Sequence, residues 1–184
     1  MHGVVFNKLK QYVTEGFNAE TWSSIVTEAG LDGTFFVPTK IYPDEHLGVL
    51  VGAAVALSGI DRETLLEDFG AFLAPHLLAM YGSMIPEDWR TEELLLNTED
   101  TIHKVVRMKS PGAEPPRLEF ERLEPGVLQL TYRSERRMSS LARGIMRGIA
   151  TGYGEQLRIS EETLPEGGQR MWIYITPLSL SAAG

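Results

Sequence analysis

The sequence predicts an α+β fold in which a helical N-terminal half packs against a C-terminal half built on an antiparallel sheet. Up to the proline-containing run 110–116, apolar residues recur every three or four positions, which is the period of helices that bury one face. After that run, apolar and polar residues alternate in short segments separated by glycine-containing turns, which is typical of antiparallel strands.

Caps and breaks divide the first half into five helices. Asn18, Asp44 and Asp61 each stand where a helix is expected to begin, because their side chains can accept hydrogen bonds from free amides of the first turn. Residues 33–43 hold two prolines and predict an extended connection. The fifth helix is expected to run without interruption to 110–116, where three prolines and a glycine must end it.

The second half predicts a hairpin, a helix and a closing pair of strands. The hairpin turns at Glu124-Pro125-Gly126, and the closing strands turn at Gly167-Gly168. The expected elements are strands 118–123 and 127–134, a helix through Leu141, Ile145 and Ile149, and strands 155–160 and 171–176.

Composition narrows the classes of function. The net charge of −8 disfavours bulk binding to nucleic acid, because such proteins usually present a basic face. The lack of cysteine excludes disulfides, zinc–thiolate sites, iron–sulfur clusters and a cysteine nucleophile. The chain shows no signal peptide and no run near the roughly 20 apolar residues that span a membrane. We therefore expect a cytoplasmic protein without a membrane partner, and one domain over residues 1–184.

Histidines are the first candidate ligands. His2 and His46 are expected on the surface, and His76 is expected in the core as a hydrogen-bonded residue. His103 lies on the apolar face of the fifth helix, where its side chain can project into a cavity. Neutral imidazole is the common proximal ligand of haem iron, but a histidine on an apolar face is also a frequent structural residue. This feature alone leaves both interpretations of His103 open.

A polar array follows on the second predicted strand. Tyr132, Ser134 and Arg136 are spaced two apart, so strand geometry places them on one face, continuous with the apolar Leu128 and Leu130. Two hydroxyls and a guanidinium suit a carboxylate, because arginine can donate two parallel hydrogen bonds. An ordinary polar strand end is the alternative.

Taken together, these features resemble the haem nitric oxide/oxygen-binding (H-NOX) family, which includes the haem domain of soluble guanylate cyclases. The resemblance covers nearly the whole chain. The matching features, in chain order, are Met1-x-Gly3, Phe69-Gly70, His103, Pro115-Pro116, Tyr132-x-Ser134-x-Arg136, and a glycine-containing helix followed by two strands.

The resemblance implies one haem b between the two halves of the fold. It implies that His103 ligates the iron and that Tyr132, Ser134 and Arg136 hold the propionates. It also implies that Pro115 presses on the porphyrin and distorts it from planarity. These implied roles agree with the carboxylate-binding array and with the helix-face histidine.

The pocket on the other face of the haem sets gas selectivity. Family members that bind oxygen stably place a tyrosine in the helix after the motif, and the aligned residue here is Leu141. With Val5, Leu9 and Ile145 it is expected to form an apolar pocket without a donor for bound oxygen. Nitric oxide sensing is therefore favoured, with carbon monoxide also bound. The remaining candidate donors are Tyr81 and Tyr153.

Three functions compete. The first is a non-catalytic sensor that signals to a partner or fused output domain; bacterial members of the resembled family pair with histidine kinases or cyclic-di-GMP enzymes. The second is a haem enzyme of the peroxidase or nitric oxide dioxygenase type, for which His76 is the candidate acid/base. The third is a haem-free module that binds a carboxylate through Arg136. The colour of the protein separates the third from the others, and turnover with peroxide separates the second from the first.

Overall fold

The computed structural model describes residues 1–109, 112, 114–134 and 138–178. Six helices precede the sheet, and a seventh lies between its two hairpins, so the predicted α+β architecture is confirmed. The elements are α1 (Gly3–Gly16), α2 (Ala19–Glu28), α3 (Glu45–Ser58), α4 (Arg62–Tyr81), α5 (Thr91–Thr98), α6 (Lys104–Lys109), β1 (Arg117–Glu124), β2 (Val127–Arg133), α7 (Ser139–Gly152), β3 (Glu155–Thr163) and β4 (Gln169–Pro177).

Two of the three predicted caps form. Asn18 Oδ1 accepts from the Thr21 amide at 2.8 Å, and Asp61 Oδ1 accepts from the amides of its first helical turn. The prediction for Asp44 was wrong, because its side chain makes no capping hydrogen bond to α3. Asp44 already has helical backbone angles, and its carboxylate pairs with the Met1 ammonium instead.

The fifth predicted helix is interrupted. A π-turn over Glu99–His103 separates α5 from α6, and the Lys104 amide donates to the Glu99 carbonyl, one residue further back than in an α-helix. The expectation of one regular helix was therefore wrong at this point. Single π-turns of this kind occur often at functional sites.

The four strands form one antiparallel sheet in the order β1-β2-β4-β3. Leu130 pairs with Met171 and Leu128 pairs with Ile173 across the two central strands, and all four side chains are fully buried. The alternation along β2 therefore directs one face into the core, as the sequence predicts.

Helix α7 packs on this face of the sheet and along α4. Its contact with α4 is made through backbone: a Cβ at Gly144 would lie 2.0 Å from the Glu67 carbonyl oxygen. A Cβ at Gly70 would likewise lie 2.4 Å from the Leu141 carbonyl oxygen. Glycine at both positions lets the two helices approach more closely than larger residues allow.

A buried cation ties the helix pair to the sheet. Arg143 of α7 donates to Glu67 of α4 at 3.1 Å and to Glu161 of β3 at 2.6 Å. Its side chain is only 11% exposed.

Within the described part of the chain, no helix is long and apolar enough to cross a bilayer.

Candidate functional site

A cavity of about 270 Å³ lies between the helical half and the sheet. Helices α1, α4 and α5 contribute one part of its wall, and the π-turn, α6, β1, β2 and α7 contribute another. Aliphatic side chains such as Leu73, Leu77 and Ile102 make up most of the lining. The cavity therefore suits a largely apolar ligand that meets a few polar groups.

His103 lies on this cavity at the last residue of the π-turn. Its side chain is 15% exposed, and Nδ1 lies 2.9 Å from Glu99 Oε2. Burial lowers the pKa of His103, although hydrogen bonds to Glu99 and to the Pro116 carbonyl oppose that shift. The imidazole is therefore held neutral near pH 7, and neutral imidazole is the form that ligates iron.

The polar array reaches the same cavity. Tyr132 is 4% exposed and follows Leu130 on the inward face of β2. Ser134, just beyond the strand, also lines the cavity. Arg136 lies outside the described residues. The structure thus brings the two hydroxyl-bearing members of the array into one cavity with His103.

The segment between α6 and β1 forms another part of the wall. Glu114, Pro115 and Pro116 all line the cavity. Pro115 lacks a backbone N–H and has a fixed ring, so it presents a rigid apolar surface there. The structure therefore groups Pro115 with His103, which lies 12 positions earlier in the sequence.

Three of the four residues predicted for the apolar pocket line this cavity, namely Val5, Leu141 and Ile145. Leu9 does not. It lines a second apolar cavity of about 260 Å³, together with Trp22 of α2. Leu9 lies one turn after Val5 on the same face of α1, so the helix passes from one cavity to the other.

Tyr81, one of the two remaining candidate donors, lines the cavity; burial raises its pKa, so its phenol stays protonated. Its signal was the spacing with Leu73 and Leu77, which puts all three on one face of α4. Tyr153, the other phenol considered, instead lies near Arg90, whose guanidinium is 6.0 Å from the ring centroid.

The three remaining histidines all differ from their predictions, which put His2 and His46 on the surface and His76 in the core. His2 is half-buried and lines the cavity, where its Nδ1 accepts from the Val4 amide at 3.4 Å. His46 packs against the ring of Phe6 rather than facing solvent. His76 is half-buried beside Phe72 and does not line the cavity. Sequence periodicity carries no information on such contacts between distant elements.

An imidazole in a mostly aliphatic cavity that two hydroxyl-bearing side chains also line is a donor set that can hold haem. A model of the Haem-NO-binding family (HNOB) matches residues 2–161, and the chain belongs to this family. The family is one of haem-based gas sensors, and its cofactor is haem. The described donors fit that cofactor, because His103 offers a nitrogen ligand and the apolar walls suit a porphyrin.

Related sequences are soluble guanylate cyclases. The chain is 25% identical to soluble guanylate cyclase gcy-31 of Caenorhabditis elegans over 138 residues, which are 74% of this chain and 20% of that protein. It is 24% identical to soluble guanylate cyclase 89Da of Drosophila melanogaster over 161 residues, which are 86% of this chain and 24% of that protein. The chain thus spans about a quarter or less of these relatives.

Solved H-NOX proteins share the fold. An H-NOX protein from S. oneidensis in the Fe(II)NO ligation state has a TM-score of 0.88 at 21% identity, covering 96% of this chain and 99% of that one. The Fe(II) unliganded H-NOX protein from K. algicida also has a TM-score of 0.88 at 21% identity, covering 96% and 97%. The whole fold, including the sheet, is therefore that of H-NOX proteins.

Proposed function

We propose that this chain is a nitric oxide sensor that binds haem through His103 and signals by a change of conformation, without catalysing a reaction. The observation that carries the proposal is the half-buried imidazole of His103, whose Nδ1 faces Glu99, in an otherwise mostly aliphatic cavity. Haem, when bound, supplies the iron that takes up the gas. We also propose that the domain extends over 1–184, because the central strand β4 lies beyond the family match.

The helix that carries His103 is suited to movement. None of the side chains of α6 is buried, and the π-turn before it also lacks buried residues. Segments with little buried apolar surface move at low free-energy cost. A change in the bond between His103 and the iron can therefore shift this helix and the adjoining Pro115. We propose that Pro115 contacts the porphyrin.

A partner or a fused output domain reads that shift. The cyclase relatives are about four or more times the length of the matched segment, which fits a sensor joined to a separate output region. Ligand binding changes such an equilibrium only through its different affinities for the two conformations. We propose that this partner or output domain is a signalling protein, such as a histidine kinase, a cyclic-di-GMP enzyme or a cyclase.

A haem enzyme finds less support. Peroxide cleavage wants a distal histidine acting with an arginine. His76, the candidate for that role, does not line the cavity, and no arginine does so among the residues that the structure describes. Absence of turnover with peroxide is the expected result for the loaded protein.

Gas selectivity provides the test of the proposal. The reduced, haem-loaded protein is expected to bind nitric oxide and carbon monoxide and to form no lasting oxygen complex in air, because Val5, Leu141 and Ile145 cannot donate a hydrogen bond. Absorption spectra before and after each gas measure this. A stable oxygen spectrum that disappears in Tyr81→Phe would show that Tyr81 is a donor and that the selectivity is wrong.

The converse substitution uses the same assay. Leu141→Tyr adds a phenol to the cavity wall and is expected to lengthen the lifetime of the oxygen complex. Leu9→Tyr is the matched control, because Leu9 lines the second cavity and its phenol should leave gas binding unchanged. Equal oxygen lifetimes in Leu141→Tyr and Leu9→Tyr would contradict the assigned pocket.

Retention of haem tests the propionate clamp. We propose that Tyr132, Ser134 and Arg136 hold the carboxylates, and a charge-assisted hydrogen bond contributes about 1.5–3 kcal/mol. Arg136→Ala is therefore expected to speed haem loss about 10- to 100-fold, well beyond Ser134→Ala. Arg133→Ala is the control, because Arg133 pairs with Glu119 on the exposed side of the strand. Haem transfer to an apoglobin acceptor measures the rate, and equal rates for the two arginine variants would remove Arg136 from the clamp.

A further inference from the structure

The partner of the His103 imidazole is a carboxylate on the same turn. Glu99 begins the π-turn and His103 ends it, and Glu99 Oε2 lies 2.9 Å from His103 Nδ1. The other carboxylate oxygen, Oε1, accepts from Arg107 Nη2 at 2.5 Å. Each oxygen of Glu99 thus has its own donor, and the carboxylate is fixed between the imidazole and a guanidinium.

The geometry at Glu99 is that of an ionised carboxylate that accepts at both oxygens. Oε1 faces the Arg107 guanidinium, which is always charged and only donates, and Oε2 faces His103 Nδ1. An ionised carboxylate only accepts hydrogen bonds, so the proton shared with His103 resides on Nδ1. The lone pair of the neutral ring is then on Nε2.

We propose that Glu99 is a positioning residue for the proximal ligand: it fixes the His103 tautomer that leaves Nε2 to bind iron, and its charge strengthens that bond. The proposal rests on the ligand role of His103 proposed above. A carboxylate that accepts from the second nitrogen of a ligating histidine raises the basicity of the ligand and orients the ring. Arg107 draws charge from the same carboxylate and so moderates the effect.

This control acts through one acceptor. Glu99 Oε2 lies 2.9 Å from His103 Nδ1, and a charged carboxylate polarises an imidazole more than a neutral acceptor does. The strength of the His103–iron bond therefore depends on Glu99. Because we propose that the sensor responds to changes at this bond, Glu99 sets how readily the signal is generated.

The test compares variants that each remove one charge. Glu99→Gln retains an acceptor but removes its charge, and Arg107→Gln leaves the Glu99 charge without its cation. Resonance Raman spectra of the reduced, gas-free holoprotein report the iron–histidine stretching frequency. We expect a lower frequency in Glu99→Gln and a higher one in Arg107→Gln. Opposite shifts are not expected from a general loss of packing.

Two further measurements complete the test. Asp100→Asn removes the same charge one residue along, at an exposed position, and is expected to leave the frequency unchanged. In the haem-free protein, ¹⁵N NMR of His103 is expected to show the proton on Nδ1, and Glu99→Leu is expected to reduce that tautomer. Haem dissociation is expected to quicken by about tenfold in Glu99→Leu.

The outcomes separate this proposal from the one on which it rests. An iron–histidine band that is lost in His103→Gly but is identical in Glu99→Gln, Asp100→Asn and the parent would overturn the role of Glu99 and leave the ligand assignment intact. A band that persists in His103→Gly would overturn the ligand assignment itself, and the role of Glu99 with it.

Discussion

Replacing Gly144 by alanine is expected to destabilise the fold by about 4 kcal/mol or more, which is at the extreme for one substitution. The added Cβ would lie 2.0 Å from the Glu67 carbonyl oxygen and 2.9 Å from the Glu67 Cα. Both atoms belong to the backbone of α4, so no side-chain rotation can relieve the overlap. Helices α4 and α7 would have to separate, which would also disturb the buried ion pair between Arg143 and Glu67.

Gly52 provides a matched control within a helix. A Cβ there meets nothing within 4 Å, and the position is exposed on α3. Gly52→Ala is expected to stabilise the protein by up to about 1 kcal/mol, because alanine is the better helix former. Urea unfolding followed by circular dichroism measures both variants. Similar midpoints for Gly144→Ala and Gly52→Ala would contradict the backbone contact between α4 and α7.

His103→Gly is expected to remove the proximal ligand and to speed haem loss by more than about tenfold, which is the size of effect that substitutions at metal sites cause. The reason is that the iron would lose its only protein ligand under the proposed assignment. Added imidazole is small enough to enter the vacated space and is expected to restore ligation. Absorption spectra of the reduced protein, with and without imidazole, measure the effect.

His2→Ala is the sharpest control for this experiment. His2 is the other imidazole among the described residues that line the cavity, and it lies at the start of α1. The proposed assignment predicts that His2→Ala keeps the reduced spectrum of the parent. If His103→Gly instead keeps that spectrum without imidazole while His2→Ala loses it, the ligand is on α1 and the proposed site is wrong.

Much of the fold follows from local sequence. Asn18 and Asp61 cap their helices because a cap needs only a short acceptor and the next few amides. The inward face of β2 follows from the alternation of Leu128, Leu130 and Tyr132. Asp44 fails as a cap because a charge distant in sequence, the Met1 ammonium, takes its carboxylate.

The sequence predicted which residues form the candidate site better than it predicted the shape of the cavity that they line. His103, Pro115, Tyr132 and Ser134 do meet at one cavity, and spacing with a family pattern was enough to group them. The separation of Leu9 from Val5 was not predictable, because periodicity gives the face of a helix but not which neighbour each turn of that face meets.

The order of helices and strands, two of the three predicted caps and the apolar faces depend on neighbours a few residues apart, so the sequence alone predicts them. The tertiary structure adds the π-turn that sets His103 beside Glu99, the entry of Tyr81 and His2 into the cavity, and the burial of Arg143 between Glu67 and Glu161. These features depend on how helices and sheet cross. That crossing is set by close backbone contacts, such as the one at Gly144, between residues far apart in the chain.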